Sequence, residues 1–118
     1  MSMESKSSLG TIRIDKDVLA TIAGMGATDC IGVVGMAAKN IKDGIGALLG
    51  HDNFSKGVDV SLKNDQLNIT LYIIVGYGTN IATVAANVVD KVKFNVEQYT
   101  GLSVDSINVI VQGVRVID

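Results

Sequence analysis

The stretch VDVSLKNDQLNITLYIIV, residues 58–75, decides the fold because apolar and polar side chains alternate through most of it. Every second residue from Val58 to Leu62 is apolar, and so is every second residue from Leu67 to Val75. Alternation with a period of two indicates strands that bury one face. Asn64-Asp65 lies between the two runs, and this pair of residue types favours a tight turn. The stretch therefore predicts a β-hairpin with one buried face.

Downstream of the hairpin, the spacing of apolar residues changes to steps of three and four. Gly76-Tyr77-Gly78 separates the two patterns, and Thr79 is the predicted N-cap of a helix that ends at Gly101. The predicted buried stripe of this helix comprises Ile81, Val84, Ala85, Val88, Val92, Val96 and Tyr99. Alternating Ile107, Val109 and Val111 then predict a last strand.

Upstream of the hairpin, Thr11 to Ile14 alternates as a short strand, and Asp15 stands where a helix N-cap is expected. An apolar series at Val18, Ile22 and Met25 predicts a helix that ends by about Cys30. The next stretch, Ile31 to Met36, fits either a strand or a turn. Apolar residues at helical spacing then predict a glycine-punctuated amphipathic helix within Met36 to Leu49; they are Ala38, Ile41, Ile45, Leu48 and Leu49.

This order of elements predicts an α+β fold, a two-layer sandwich in which a mostly antiparallel sheet carries helices packed on one face. Residues 1–9 are polar, Ser-rich and without periodicity, so we predict a disordered N-terminal tail there. Residues 10–118 are predicted to form a single domain with one core.

The composition of the 118 residues fits a globular protein that is not a nucleic-acid binder by default. Hydrophobic residues make up 47% and charged residues 19%, which argues against disorder. The net charge is -2, and basic residues do not gather into a stripe that would neutralise phosphates. A single cysteine and the lack of a signal-like N-terminus predict a cytoplasmic protein whose membrane association, if any, runs through a partner.

Residue types that carry catalysis or bind metals are scarce. One His and one Cys supply no zinc site of Cys/His type, so no metal and no cofactor are predicted. Cys30 and His51 would make a nucleophile and base only if the fold brought them together, and a lone Cys in an apolar run is usually a small core residue. Gly76-Tyr77-Gly78 lacks the third glycine of a dinucleotide fingerprint and the lysine of a P-loop. We therefore predict no enzymatic activity.

One glycine pair leaves an RNA-binding alternative open. Gly32-Val33-Val34-Gly35 between two predicted helices is similar to the Gly-x-x-Gly loop with which K-homology domains clamp single-stranded RNA, and Lys39 follows closely. The two middle positions are valines, which offer no charge to a phosphate. A K-homology-like RNA-binding module that uses Gly32, Val33, Val34, Gly35 and Lys39 is therefore the second hypothesis.

The first hypothesis is a protein-interaction domain, and the stretch from Met36 to Leu49 carries it. Gly44 and Gly46 make this a poor isolated helix, and a loosely held amphipathic segment is suited to docking. The candidate partner-binding residues are Ile41, Ile45, Leu48 and Leu49. The second face of the hairpin also carries weakly polar side chains at Thr70, Tyr72 and Ile74, which predicts a homo-oligomer.

Seven phrases along the chain resemble the alkaline-shock, envelope stress-response family of Gram-positive bacteria. The match covers about residues 9 to 116, and the order and spacing of the phrases are more specific than any one of them. The phrases are Gly10 to Ile14 with Val18 to Ala23, then Ile31 to Met36, Lys56 to Val58, Val75 to Gly78, Thr100 to Leu102 and Ile107 to Val109. One difference is that Cys30-Ile31 stands where relatives often have a proline, and this chain has none.

The resemblance implies a stress-linked cytoplasmic scaffold of envelope homeostasis rather than an enzyme. Such proteins are often held at the membrane by a small anchoring partner and tend to self-associate. Short members of the family are also encoded beside a fatty-acid kinase. The expected partners are therefore a small membrane anchor or a fatty-acid kinase component, together with further copies of the chain.

Overall fold

The computed structural model describes residues 2–6, 9–39 and 48–116. In these residues it contains six strands, two α-helices and one 3₁₀ helix. In chain order they are β1 (Ser2–Lys6), β2 (Thr11–Asp15), α1 (Lys16–Thr28), β3 (Val33–Met36), the 3₁₀ helix (His51–Gly57), β4 (Val58–Lys63), β5 (Gln66–Gly76), α2 (Ile81–Thr100) and β6 (Val104–Arg115).

Strand β5 lies at the centre of the main sheet. On one side it pairs with β6 in parallel along Leu67 to Gly76. On the other side it pairs antiparallel with β4, where Val60 lies opposite Ile69, and further along with β3, where Met36 lies opposite Ile73. Strands β3 and β4 therefore follow one another along one edge of the sheet, and β6 forms the other edge. The predicted mostly antiparallel sheet is confirmed.

The predicted hairpin is strands β4 and β5. Its turn residues Asn64 and Asp65 have φ angles of 53° and 61°, the left-handed conformation that a two-residue turn needs at both positions. Asn and Asp reach this conformation at a lower cost than other non-glycine residues. The short turn fixes the register, and it thereby places alternate apolar residues of both strands on the same face.

Both helices cover one face of the main sheet, which confirms the two-layer arrangement. Helix α2 buries valines at steps of four, and Gly101 ends it with a φ of 74°, as predicted. Its N-cap is Asn80 rather than Thr79, because the Asn80 side chain accepts a hydrogen bond from Thr83 N at 3.0 Å. Helix α1 buries a different face from the one predicted; its core residues are Leu19, Ala20, Ala23 and Ala27.

The core fills the space between the helices and the inner face of the sheet. Strand β5 supplies the largest share with its alternate residues, and Phe54 of the 3₁₀ helix is the aromatic residue buried there. The buried residues of β5 on this face are Leu67, Ile69, Leu71, Ile73 and Val75. The opposite face of β5 carries half-buried Thr70 and Tyr72 and the buried Ile74.

Two predicted segments differ from the structure. Ser2–Lys6, predicted as part of a disordered tail, pairs antiparallel with β2 as strand β1. The helix predicted within Met36 to Leu49 does not form at its ends: Met36 belongs to β3, Ala37 forms an antiparallel bridge with Leu48, and Leu49 N donates to Met36 O at 2.9 Å. In both segments, backbone pairing with a neighbouring strand outweighs the local sequence pattern. Residues 40–47 lie outside the described residues.

Candidate protein-interaction surfaces

The outer side of the two helices carries an apolar surface that the sequence pattern did not predict. It consists of Ile22, Met25, Ile31, Phe94 and Tyr99, and we call it the helix-face surface. Phe94 is 62% exposed, Tyr99 74% and Ile31 92%. Clusters of large apolar side chains with this degree of exposure occur more often on surfaces that bind other molecules than elsewhere on a protein.

Two neighbouring recesses along α2 divide this surface, one beside the residues that follow α1 and one beside α1 itself. The first is lined by Cys30, Ile31, Asn87, Asp90, Lys91 and Phe94. The second is lined by Thr21, Ile22, Met25, Asp29, Asn95 and Tyr99. Lys91 Nζ from the first recess lies 3.6 Å from Asp29 Oδ2 of the second, so this exposed ion pair marks the boundary between them. Each recess thus offers an aromatic ring next to aliphatic side chains, with a polar rim.

The distribution of aromatic residues distinguishes this surface. The chain has only three tyrosines and two phenylalanines. Phe54 is buried and Tyr72 is half-buried, whereas Tyr77, Phe94 and Tyr99 are exposed. Aromatic residues bury the largest areas and are enriched at the energetic centres of protein interfaces. The chain therefore builds its core mainly from aliphatic residues and places most of its rings in contact with solvent.

Periodicity alone could not locate the helix-face surface. Tyr99 continues the stripe of Val92 and Val96 at a step of three, so the pattern predicted a buried ring. In the structure α2 ends at Thr100, and Tyr99, in its last turn, is exposed and borders the recess that Ile22 and Met25 line. Phe94 lies two positions from both valines, which places it on the opposite side of the helix. An aromatic residue on the predicted polar face of α2 is the sequence signal that indicates this surface.

Of the four predicted docking residues, Leu48 and Leu49 lie within the described residues, and these two do not share one face. Ile41 and Ile45 lie outside the described residues. Leu48 is 39% exposed, and its side chain covers Gly35, where an added Cβ would lie 2.8 Å from Leu48 Cδ2. Because Gly35 pairs with Ile74, Leu48 lies on the sheet face away from the helices. Leu49 instead packs against the core.

Lys39 holds the start of the same segment against the sheet. Its Nζ lies 2.6 Å from Asp59 Oδ1, and its carbonyl oxygen accepts a hydrogen bond from Gln112 Nε2 at 3.3 Å. Tyr72 donates to the same Asp59 carboxylate at 3.4 Å. The hydrogen bond to the Asp59 carboxylate raises the pKa of Lys39. Both described ends of the segment, Lys39 and Leu48, are therefore anchored to the main sheet.

The predicted RNA-binding loop has a different structure from the one expected. Gly32 is a turn residue with a φ of 96°, and Val33, Val34 and Gly35 belong to strand β3. A Cβ on Gly32 would lie 2.6 Å from Val84 Cγ2, so this glycine allows close approach to α2. Gly35 is buried beneath Leu48, and Lys39 is paired with Asp59. The exposed loop between two helices, on which the RNA hypothesis was based, is therefore not formed.

Cys30 is the residue with nucleophilic potential in the first recess. Burial raises the pKa of its thiol, and the nearby Lys91 only partly offsets that effect. Its Sγ lies 3.5 Å from Gly26 O, as expected for a thiol that donates to a backbone carbonyl. A thiol that resists ionisation is a weak nucleophile. Cys30 thus contributes apolar lining rather than reactivity.

Residues 2–6, 9–39 and 48–116 contain neither a cluster of metal-ligating side chains nor a membrane-spanning helix. No three His, Cys, Asp or Glu side chains gather there in a way that could hold a metal ion. Within the same ranges, neither helix has the length and hydropathy needed to cross a lipid bilayer.

Comparison with known proteins identifies a family over nearly the whole chain. Residues 4–116 match the model of the alkaline shock protein 23 family, which is described as having a cell envelope-related function. No solved structure matches the chain.

Three curated proteins of Gram-positive bacteria are similar to this chain, and each is named as uncharacterized. YloU of Bacillus subtilis strain 168 is 53% identical over 117 residues, which are 98% of both chains. Spy1614 of Streptococcus pyogenes serotype M6 is 39% identical over 118 residues, 99% of this chain and 98% of the relative. YqhY of Bacillus subtilis strain 168 is 34% identical over 107 residues, 91% of this chain and 78% of the relative.

Proposed function

The chain belongs to the alkaline shock protein 23 family, whose function is cell envelope-related, and we propose that it is a non-catalytic interaction domain of envelope homeostasis. It acts by self-association and by binding a protein partner. The partner is a small membrane anchor or a metabolic protein such as a fatty-acid kinase component. In this proposal the protein is cytoplasmic and reaches the membrane only through that partner.

The exposure of Phe94 and Tyr99 on the helix-face surface is the observation that supports partner binding best. Burying an aromatic side chain stabilises a protein by about 1.5–3 kcal/mol. Because Phe94 and Tyr99 are largely exposed, neither ring contributes that amount to the stability of this fold. Both rings border recesses with a polar rim, the arrangement found at the centre of protein interfaces. A partner that inserts apolar side chains into both recesses would bury these rings.

The non-catalytic part of the proposal is supported by the groups that line the recesses. Asp29 and Lys91 neutralise each other across the boundary, and the thiol of Cys30 is held in its neutral form. Active sites usually show the reverse, with titratable groups shifted toward reactive states.

Affinity capture from native extract tests the proposal. The tagged chain is incubated with soluble and membrane fractions, with and without nuclease, and the retained proteins are identified. Phe94→Ser and Tyr99→Ser should each reduce retention of the partner at least about tenfold, because a buried interface aromatic contributes 2 kcal/mol or more. The thermal midpoint of both variants should stay close to that of the wild type, since both rings are largely exposed.

Ile81→Ser is the matched control, because Ile81 is an exposed apolar residue on the same helix. If the Phe94→Ser and Tyr99→Ser variants retain the partner as well as the Ile81→Ser variant does, the helix-face surface is not the partner-binding surface.

Leu48→Ser and Ile45→Ser test the docking segment predicted from the sequence. If the segment docks a partner, both variants should lose partner capture while their stability stays unchanged. Retention of RNA alone, removed by nuclease, would support the Gly32 to Gly35 alternative instead.

A further inference from the structure

Strands β1 and β2 form a hairpin, called the arm, that does not belong to the main sheet. Within the described residues, the two strands pair with each other and with no strand of that sheet. Ile14 packs against the core, whereas Ile12, on the same face of β2 but further from the body, is exposed. An isolated two-stranded hairpin is only marginally stable in water. The arm therefore lacks the third strand or packed layer that would stabilise it.

Within residues 2–6, 9–39 and 48–116, the outer edge of strand β6 is open. In the part of the chain that the structure describes, the strand pairs only with β5. Edge strands are commonly protected from pairing by charges, proline or β-bulges. The register of β6 against β5 shifts near Asp105 and near Gln112, but from Ser106 to Val111 it is regular, and this stretch contains neither a charge nor a proline. Strand β4, at the opposite edge, carries Asp59 and Lys63 within six residues.

The arm and the open edge lie on opposite sides of the molecule. Lys16 and Asp17, the first residues of α1, line a small recess together with Val58 and Asp59 of β4. The arm directly precedes α1, so it leaves the body beside the β3–β4 edge. Strand β5 lies between that edge and β6. Within the described residues, one copy thus offers a hairpin on one side and an open strand edge on the other.

We propose that the arm of one copy pairs with the open edge of β6 in a second copy. This inference rests on the proposed self-association and names the surfaces that carry it. A five-residue strand spans about 17 Å, which fits within the twelve-residue length of β6. The backbone groups of both edges supply the hydrogen bonds, as in other cases of strand addition. Because each copy gives an arm and receives one, the contact is head-to-tail and generates chains or rings rather than closed pairs.

Ile110→Lys tests the edge with a matched control. Ile110 of β6 is 42% exposed, and Leu62 of β4 is 41% exposed on the opposite edge. A lysine at either position is compatible with the fold, and circular dichroism checks this. Light scattering on a sizing column should show wild-type masses that rise with concentration. Ile110→Lys should shift this association to at least about tenfold higher concentration, while Leu62→Lys should follow the wild type.

The results separate this inference from the proposal on which it rests. Equal association of Ile110→Lys and wild type would overturn the role of the β6 edge and leave self-association in place. A wild type that stays monomeric at every concentration would overturn both. Partner capture through Phe94 and Tyr99 is independent of either result.

Disulfide trapping tests the head-to-tail geometry. In a Cys30→Ser background, Thr11→Cys places a thiol on the arm and Asn108→Cys places one on β6; both residues are exposed. The mixture of the two variants should form cross-linked dimers at least about tenfold faster than either variant alone, because pairing raises the effective concentration of the two thiols. Faster cross-linking of Asn108→Cys with itself would indicate a two-fold contact between edges and overturn the proposal. A mixture no faster than the separate variants would also overturn it.

Discussion

At the scale of single residues, the fold depends on a close approach between Gly24 and Phe54. A Cβ at position 24 would lie 2.8 Å from Phe54 Cγ, which is shorter than real Cβ contacts. The Phe54 ring is almost completely buried, so it has little room to move aside. Gly24 therefore allows the 3₁₀ helix to pack directly on α1, and it costs α1 about 1 kcal/mol of helix propensity relative to alanine.

We predict that Gly24→Ala lowers the free energy of unfolding by about 1–3 kcal/mol, because overpacking outweighs the gain in helix propensity. Gly26→Ala on the same helix is the control. Its nearest neighbour is the end of the Asn95 side chain at 3.1 Å, which can rotate away, so stability should be unchanged or slightly higher. Urea denaturation followed by circular dichroism measures both. If the two variants are equally stable, the Phe54 ring is less constrained than the structure indicates.

At the scale of elements, those predicted correctly are the ones whose signals are local. The alternation on either side of Asn64-Asp65 predicted β4 and β5, and the valines at steps of four predicted α2. Strand β1 and the end of β3 were harder to predict because backbone pairing, with β2 and β5 respectively, determines them rather than the local apolar pattern. Likewise, the exposure of Tyr99, in the last turn of α2, depends on where the core ends. A periodicity argument identifies the buried side of a helix, but it does not show how far along the helix the sheet extends.

The start of α2 gives a prediction at this scale. Asn80→Ala removes the side chain that accepts from Thr83 N, and it should lower the free energy of unfolding by about 1 kcal/mol. Asn80→Asp keeps an acceptor and adds a negative charge to a helix with no acidic residue in its first turn. At neutral pH that variant should be as stable as the wild type or more stable by about 0.3–1 kcal/mol. Thermal denaturation compares them, and equal stability of Asn80→Ala and wild type would contradict the role of Asn80 as N-cap.

At the scale of the whole molecule, the three features with proposed roles are spatially separate. The helix-face surface lies on the helix layer, the arm leaves beside the β3–β4 edge, and β6 forms the far edge of the sheet. Copies linked through arm and edge would therefore leave their helix layers uncovered by that contact. An assembly of this kind could present Phe94 and Tyr99 many times, and repeated weak contacts with a partner would then act together.

Hydrogen exchange should reveal this organisation in a single experiment. Strand β5 pairs on both sides and lies in the core, so its amides should exchange most slowly at every protein concentration. Among the described residues of one copy, the strands of the arm pair only with each other, so β1 and β2 should exchange rapidly in dilute solution. At high concentration the arm and β6 should become protected together, because each covers the other in a neighbouring copy. Ile110→Lys should remove that joint protection and leave β5 unchanged, whereas protection of β6 without the arm would indicate contact between edges.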